Sequence, residues 1–296
     1  MIMLFTIAIP TYNNVSTIKN AIDSALNQDY NQDYEVLVVN NASTDSTLEE
    51  ISAYTGSKIR IVSNERTVDL FQNHTICFNE AKGDYILFCH SDDVLFPFAL
   101  RLLSERISLR GFPKRYIVWG RSMFRDYYAS MRLAGYSLND VVSGQYSLYC
   151  FTLGLTPSGT CYSRKSILEI GAFPAMKSKI TPLDWYIMNW AAFNCFEFEM
   201  MDRLLFKREY ASTAKEIGHK DWLIANKDAL DILLEHLAEQ QKRELFTVFL
   251  KLYRWDSYPY WKMYVSLKRR IIYVMRQIFR EPYRIHHIIR TIFIKI

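Results

Sequence analysis

At 296 residues, with 50% apolar and 15% aromatic side chains, the chain has material for a large buried core and is too hydrophobic for a disordered polymer. Its net charge of +5 is unevenly placed: from Lys251 onward eleven Lys/Arg stand against two acids, leaving 25 against 29 in residues 1–250. The five cysteines form no CxxC pair, and no stretch approaches about 18 uninterrupted apolar residues, which argues against a structural zinc and against a membrane span.

In chain order, "LFTIAI" (4–9) is a short apolar run that stops at Pro10. With no basic segment before it, it is too short for a signal peptide, and with reduced core thiols a cytoplasmic location is expected. Turn residues follow, then "VSTIKNAIDSAL", in which Ile18, Ile22 and Leu26 recur at helical spacing. "YEVLVVN" (34–40) is a second strand, and Ser46 and Glu49 have capping-box spacing for the helix after it. "KIRIVSN" (58–64) is a third strand, "TVDLFQNHTICFNEAKG" a helix closed by Gly83, and "DYILFC" a fourth strand. Strands apolar on both faces that alternate with helices predict a mostly parallel sheet covered on both sides. Ligands of such sheets bind beyond the carboxyl ends of the strands, where "PTYNN", "NNASTD" and "HSDD" fall.

A helix is expected from Pro97 to Arg110 and a strand at "YIVWG" (116–120), while residues 121–150 carry no clean period and read as an irregular insertion. "TPSGTCYSRKSILEIGAF" and the helical "TPLDWYIMNWAAF" follow, and from about residue 220 the chain reads as helical to its end, interrupted near Pro259 and Pro282.

No glycine-rich dinucleotide loop and no GxxxxGK[ST] follows the first strand, so nicotinamide dehydrogenases and P-loop enzymes lose their phosphate-binding device. Hard oxygen ligands at a strand end suit Mg²⁺ or Mn²⁺ bridging phosphate oxygens, which would cancel the repulsion between Asp92 and Asp93. Equally, from spacing alone, either acid could cap the helix after Pro97. In the same way Thr181, Pro182 and Asp184 have the spacing of a helix N-terminus.

The ordered blocks "FTIAIPTYNN", "SALNQDY", "EVLVVNNASTDST", "NHTICFNEAKGDYILFCHSDDVLFP", "SRKSILEIGAF" and "LDWY" resemble family 2 glycosyltransferases of the GT-A fold, over roughly residues 3–210. The resemblance implies a Rossmann-like α/β catalytic domain over 1–215. Its nucleotide-sugar half would span 1–110 and its acceptor half 111–215, with a C-terminal helical appendage over 216–296. It implies Asp92 and Asp93 as ligands of Mn²⁺ or Mg²⁺, with His90 in the place of the usual first Asp. Donor contacts would come from Pro10, Thr11, Tyr12, Asn40, Arg66, Asn73, Ser91 and Asp92, with Tyr12 stacked on the base. Asn40 departs from the usual Asp, which weakens a uracil assignment. Asp184 would be the catalytic base of an inverting transfer, and Trp185 and Tyr186 would face the acceptor. Glu209 stands where many relatives have His.

The expected partners are a nucleotide-sugar donor, most simply a UDP-sugar, and a glycan or lipid-linked glycan acceptor of bacterial surface polysaccharide synthesis. A non-catalytic sugar-nucleotide-binding protein is the alternative. In the tail, Tyr264, Leu267, Ile271, Met275 and Ile278 share one helical face and Lys262, Arg269 and Arg276 another, which predicts docking on an anionic membrane surface. Packing on the catalytic domain or on a second subunit, as a homo-oligomer, is the other reading of those helices. Nucleic acid is not expected, because the tail's charges sit on apolar helices.

Overall fold

The computed structural model describes residues 4–123, 137–143, 158–175, 183–208 and 219–252, with the isolated positions 272 and 275. The first half alternates as read: β1 (Phe5–Thr11), α1 (Ile18–Leu26), β2 (Tyr34–Asn40), α2 (Thr47–Ser52), β3 (Ile59–Ser63), α3 (Leu70–Glu80) and β4 (Tyr85–Phe88). Then follow β5 (Asp93–Leu95), α4 (Ala99–Leu109), β6 (Tyr116–Ser122), β7 (Val141–Ser143) and β8 (Thr160–Ser163). The last elements are α5 (Arg164–Glu169), α6 (Leu183–Phe193), β9 (Glu197–Arg208), α7 (His219–His236) and α8 (Glu239–Leu252).

One sheet runs β3-β2-β1-β4-β8-β6-β9-β5, with β7 paired to β9. Its first four strands are parallel, placing Phe5 opposite both Tyr34 and Tyr85. Antiparallel β8 joins β4 to β6, and β9 runs parallel to β6. Side-chain alternation along β1 and β2 divides the core in two. Ala8, Leu37 and Val39 pack with residues of α3, α5, α6, α7 and α8, whereas Ile7, Ile9, Val36 and Val38 pack with α1, α2 and α4. Burial on both faces is why these strands are continuously apolar in sequence.

Several local expectations are corrected. Ser46 sits at the N-cap of α2 without a side-chain cap bond, because Asp45 satisfies the first turn in its place, its Oδ1 accepting from the Thr47 amide at 2.9 Å. Gly83 does not close α3 with a left-handed cap. It lets backbone pass backbone, since a Cβ there would lie 2.5 Å from the Thr6 nitrogen and 2.7 Å from the Phe5 carbonyl carbon. Residues 121–150 include the strand β7, and β9 was not legible at all. The twelve-residue β9 carries Asp202 and Arg203 in its middle and shifts register against β6, which erases any period-two pattern. Thr181 and Pro182 lie outside the described residues.

Glu199 of β9 is fully buried and ties α4 to the sheet. Its carboxylate accepts from Arg110 through two bonds of 3.0 Å, pairs with Arg106 at 3.1 Å and accepts from the Tyr116 hydroxyl. A buried carboxylate needs this many partners.

Candidate active site

The polar loops at the carboxyl ends of β1, β2, β3 and β4 are joined into one surface by side-chain bonds. The Thr11 carbonyl accepts the Asn41 amide (2.9 Å), and Asn13, at φ 52°, donates its backbone amide to Ser43 Oγ and exchanges bonds with Thr44. Asn14 Nδ2 donates to Ser91 Oγ at 2.8 Å, drawing the loop after β1 against the loop after β4. Asn41 exchanges bonds with the backbone of Val68 and accepts from Asn64 Nδ2, which also donates to Asn73 Oδ1 (3.0 Å). The run of asparagines is therefore a scaffold: short amides satisfy backbone groups where strands end and no ladder continues.

This scaffold separates the expected donor residues into two kinds. Tyr12 is 44% exposed at the end of β1, and Arg66 is exposed after β3, so both can meet a nucleotide. Pro10, Thr11, Asn40, Asn73 and Ser91 are buried beneath. Asn40 is occupied with its own loop: its Oδ1 accepts from the Ser43 amide (3.2 Å) and hydroxyl (2.6 Å). Asn73, 3% exposed, is a buried bracket and not a surface donor contact. The Thr11 hydroxyl is buried at the strand end with no hydrogen-bond partner among the described residues.

The acidic turn follows β4. The Asp93 amide donates to the His90 carbonyl at 2.9 Å, and Asp93 then opens β5. Neither acid caps α4. That helix starts at Ala99, and Gln28 Oε1 accepts from the Leu100 amide (2.9 Å), so the capping alternative for Asp92 and Asp93 is excluded. β5 pairs with the end of β9 so that Asp93 faces Arg208. Burial pushes the half-buried Asp92 carboxyl above its ordinary range, with backbone bonding and the Arg208 charge pulling the other way. Arg208 is the functional candidate missed in the sequence. It was visible in "FKREY", but only the β5–β9 pairing brings it to the acids.

His90 leaves β4 with its amide donating to Ser158 Oγ (2.9 Å) and its Nε2 set 2.9 Å from Nε2 of His74 on α3. Burial is the main force lowering both rings, His74 to about 3 with help from His90, and His90 to about 4 with help from Arg208.

Asp184 is half-buried in the first turn of α6, close enough to Tyr162 of β8 for its charge to raise that phenol beyond what burial does. Tyr162 lies opposite Ile86, two residues before Phe88, so α6 brings Asp184 to the β4 side of the sheet. Tyr186 is a correction: it is 1% exposed and packs on Phe71 at 5.6 Å, so it is core and no acceptor platform. The side chain of Trp185 lies outside the described residues. Trp190 donates to the Ile170 carbonyl and is likewise structural.

The donor chemistry of the acidic turn fits a hard divalent cation. Two adjacent carboxylates offer oxygen ligands, and the unfavourable burial of Asp92 is what a cation would relieve. Among the described residues no group of three or more His, Cys, Asp or Glu could enclose an ion. The arrangement therefore suits an ion completed by a ligand's phosphates.

A sheet of this topology, with paired acids after β4 and polar loops on its carboxyl edge, is a GT-A fold. Residues 6–112 match Glycosyl transferase family 2. Across 99 residues the chain is 38% identical to the poly(ribitol-phosphate) beta-glucosyltransferase of Bacillus spizizenii, covering 31% of this chain and 15% of that one. The fold is that of Staphylococcus aureus TarS 1-349 in complex with UDP-GlcNAc (TM-score 0.64, 17% identity, 92% of this chain and 79% of that one). It is also that of a Pyrobaculum calidifontis mannosyltransferase in complex with GDP-Man and Mn²⁺ (TM-score 0.58, 15% identity, 97% and 73%). The matched segments span 40% or less of the curated relatives' own lengths.

Proposed function

We propose that the chain is an inverting glycosyltransferase that moves a sugar from a nucleotide-diphospho-sugar, a UDP-sugar in the first instance, to a hydroxyl of a glycan acceptor in bacterial surface polysaccharide synthesis. The observation that carries this reading is the acidic turn: Asp92 and Asp93 sit beyond the carboxyl end of β4 and cap no helix, Asp93 lies opposite Arg208 in the β5–β9 pair, and the Arg208 charge also acts on Asp92. Carboxylates beside a guanidinium at a strand end are suited to a diphosphate and its counter-ion. The solved complexes of similar fold that hold UDP-GlcNAc, and GDP-Man with Mn²⁺, support the same class of donor.

In this reading Asp92 and Asp93 would hold Mn²⁺ or Mg²⁺, which when bound stabilises charge on the departing diphosphate. Arg208 adds a fixed positive charge next to it. Tyr12 offers its ring to the base, and the asparagine scaffold holds the loops that shape the nucleoside pocket. Asp184 takes the proton of the acceptor hydroxyl as that oxygen attacks the anomeric carbon from the face opposite the leaving group, so configuration inverts. On the basic tail, the same proposal includes docking at an anionic membrane surface that carries the acceptor lipid.

The test is a panel of nucleotide-sugars read by metal-dependent hydrolysis and by thermal stabilisation. Wild type should respond to at least one donor with Mn²⁺ present, and Asp92→Ala should lose both signals, because a methyl offers no oxygen to a hard ion. An Asp92→Ala variant that keeps metal-dependent stabilisation overturns the assignment.

A further inference from the structure

His74 is 1% exposed, stacked on Phe88 with ring centroids 5.1 Å apart and edge-on to Phe173 at 6.0 Å. In that apolar cage the imidazole stays neutral and carries one proton. Its Nδ1 lies 2.8 Å from the Leu70 carbonyl oxygen one turn earlier on α3. A carbonyl only accepts, so the proton is on Nδ1 and Nε2 of His74 bears a lone pair. That lone pair faces Nε2 of His90 at 2.9 Å, which must then be the protonated nitrogen of the second ring. The alternative assignment would set two lone pairs against each other at either the carbonyl or the partner ring. For two neutral rings, both tautomers follow from one backbone carbonyl.

The consequence falls on Nδ1 of His90. In the neutral ring, the ordinary form of an imidazole above about pH 6.5, it is left unprotonated, with no hydrogen-bond partner among the described residues, on a half-buried ring two residues before Asp92. Its ring orientation is fixed by the edge-on contact with His74 at 5.2 Å and 80°. We propose that His74 is a positioning residue that locks His90 in the Nε2–H form, so that His90 Nδ1 serves as a neutral hydrogen-bond acceptor for a hydroxyl of the bound nucleotide-sugar. A neutral acceptor binds a hydroxyl without adding a third negative charge beside Asp92 and Asp93. The inference rests on the donor-site reading above, but its first half does not.

The tautomers are read directly in the full-length protein labelled with ¹⁵N-histidine, by long-range proton–nitrogen correlation. The expected pattern is protonated Nδ1 for His74 and protonated Nε2 for His90; protonated Nδ1 on His90 overturns the proposal. The binding arm uses UDP and UDP-GlcNAc with Mn²⁺, on wild type, His74→Phe and His74→Gln. Phenylalanine suits the aromatic cage but offers no acceptor, and glutamine restores an acceptor oxygen near the position of Nε2. His74→Phe should weaken binding about fivefold to tenfold, the worth of one hydrogen bond, and His74→Gln should recover most of it. Weakening for both ligands places the hydroxyl on the nucleoside; weakening for UDP-GlcNAc alone places it on the transferred sugar. Equal binding by all three proteins, or equal loss in both variants, overturns the positioning role. Failure of wild type to bind either ligand overturns the acceptor role of Nδ1 together with the donor choice, while the tautomer pattern decides the lock separately.

Discussion

At the scale of single residues, Asp184 separates chemistry from helix architecture. It stands in the first turn of α6, where a carboxylate favours the helix N-terminus whatever else it does. Asp184→Asn keeps its shape and its bonding to backbone but cannot take a proton, so kcat should fall at least ~10²-fold while the donor KM stays near wild type. Steady-state kinetics within a few-fold of wild type would return Asp184 to the helix. Glu199 shows the opposite case, a buried charge with a purely structural role. Glu199→Ala strips the partner from Arg106, Arg110 and the Tyr116 hydroxyl. Both guanidinium groups are partly exposed and can turn to water, so the loss should be about 2–3 kcal/mol in denaturant unfolding, below the ~3–5 of a fully buried pair. The positions of Asp92, Asp93 and Tyr12 at strand ends were legible in the sequence, because apolar runs stop just before them. The bracing bonds of Asn40 and Asn73 were not legible, because an amide in a polar block looks the same whether it faces a ligand or braces a loop. His74 and Arg208 depend on pairing between distant elements, which no local spacing encodes.

At the scale of elements, strands covered on both faces announce themselves as apolar runs, which is why β1, β2 and β4 were found, while the edge strand β3 was found from its isoleucines and valine. β5 and β7 are three residues each, too short for any period, and β9 hides behind its central charges. Two junctions between elements are open to measurement. Gly83→Ala would force the segment before β4 away from β1, because the new methyl meets main-chain atoms that no rotamer change can move. A cost of about 1–3 kcal/mol, seen as a lower denaturant midpoint with unchanged slope, is expected. The other junction is His74, between α3 and β4. Its folded value is depressed to about 3 from an ordinary 6.5, so the unfolded chain binds the proton first as pH falls. The neutral ring's contribution is complete above about pH 6.5 and is lost progressively below it, at up to about 1.4 kcal/mol per pH unit. Between pH 7 and pH 5 wild type should therefore lose about 2 kcal/mol more than His74→Phe in urea titrations. Parallel pH profiles for the two proteins would show that the buried imidazole does not resist protonation.

At the scale of the molecule, the sequence sets a net acidic segment over residues 1–250 apart from a basic tail. The helices α7 and α8 join the core through Ala229, Leu230, Leu233, Leu237 and Leu245, and His236 lies 5.5 Å from the ring of Trp190. Beyond α8, Ile272 and Met275 are helical and 45% and 49% exposed, apolar side chains facing water on a segment rich in Lys and Arg. Among the described residues no helix is long and apolar enough to cross a bilayer, so a membrane contact made by such a segment would be interfacial. An acceptor anchored in lipid would favour an enzyme held at the same surface, since confinement raises the local concentration of both. Each basic residue near anionic lipid adds about 1 kcal/mol, so reversing two of them should matter more than any single apolar change. The full-length protein should co-sediment with vesicles containing anionic lipid, bind neutral vesicles weakly, and lose most of its binding in Arg269→Glu/Arg276→Glu or at high salt. Binding that is the same for both proteins and indifferent to lipid charge would assign this segment to packing on protein, and size-exclusion chromatography of the same pair would then show whether the partner is a second copy of the chain.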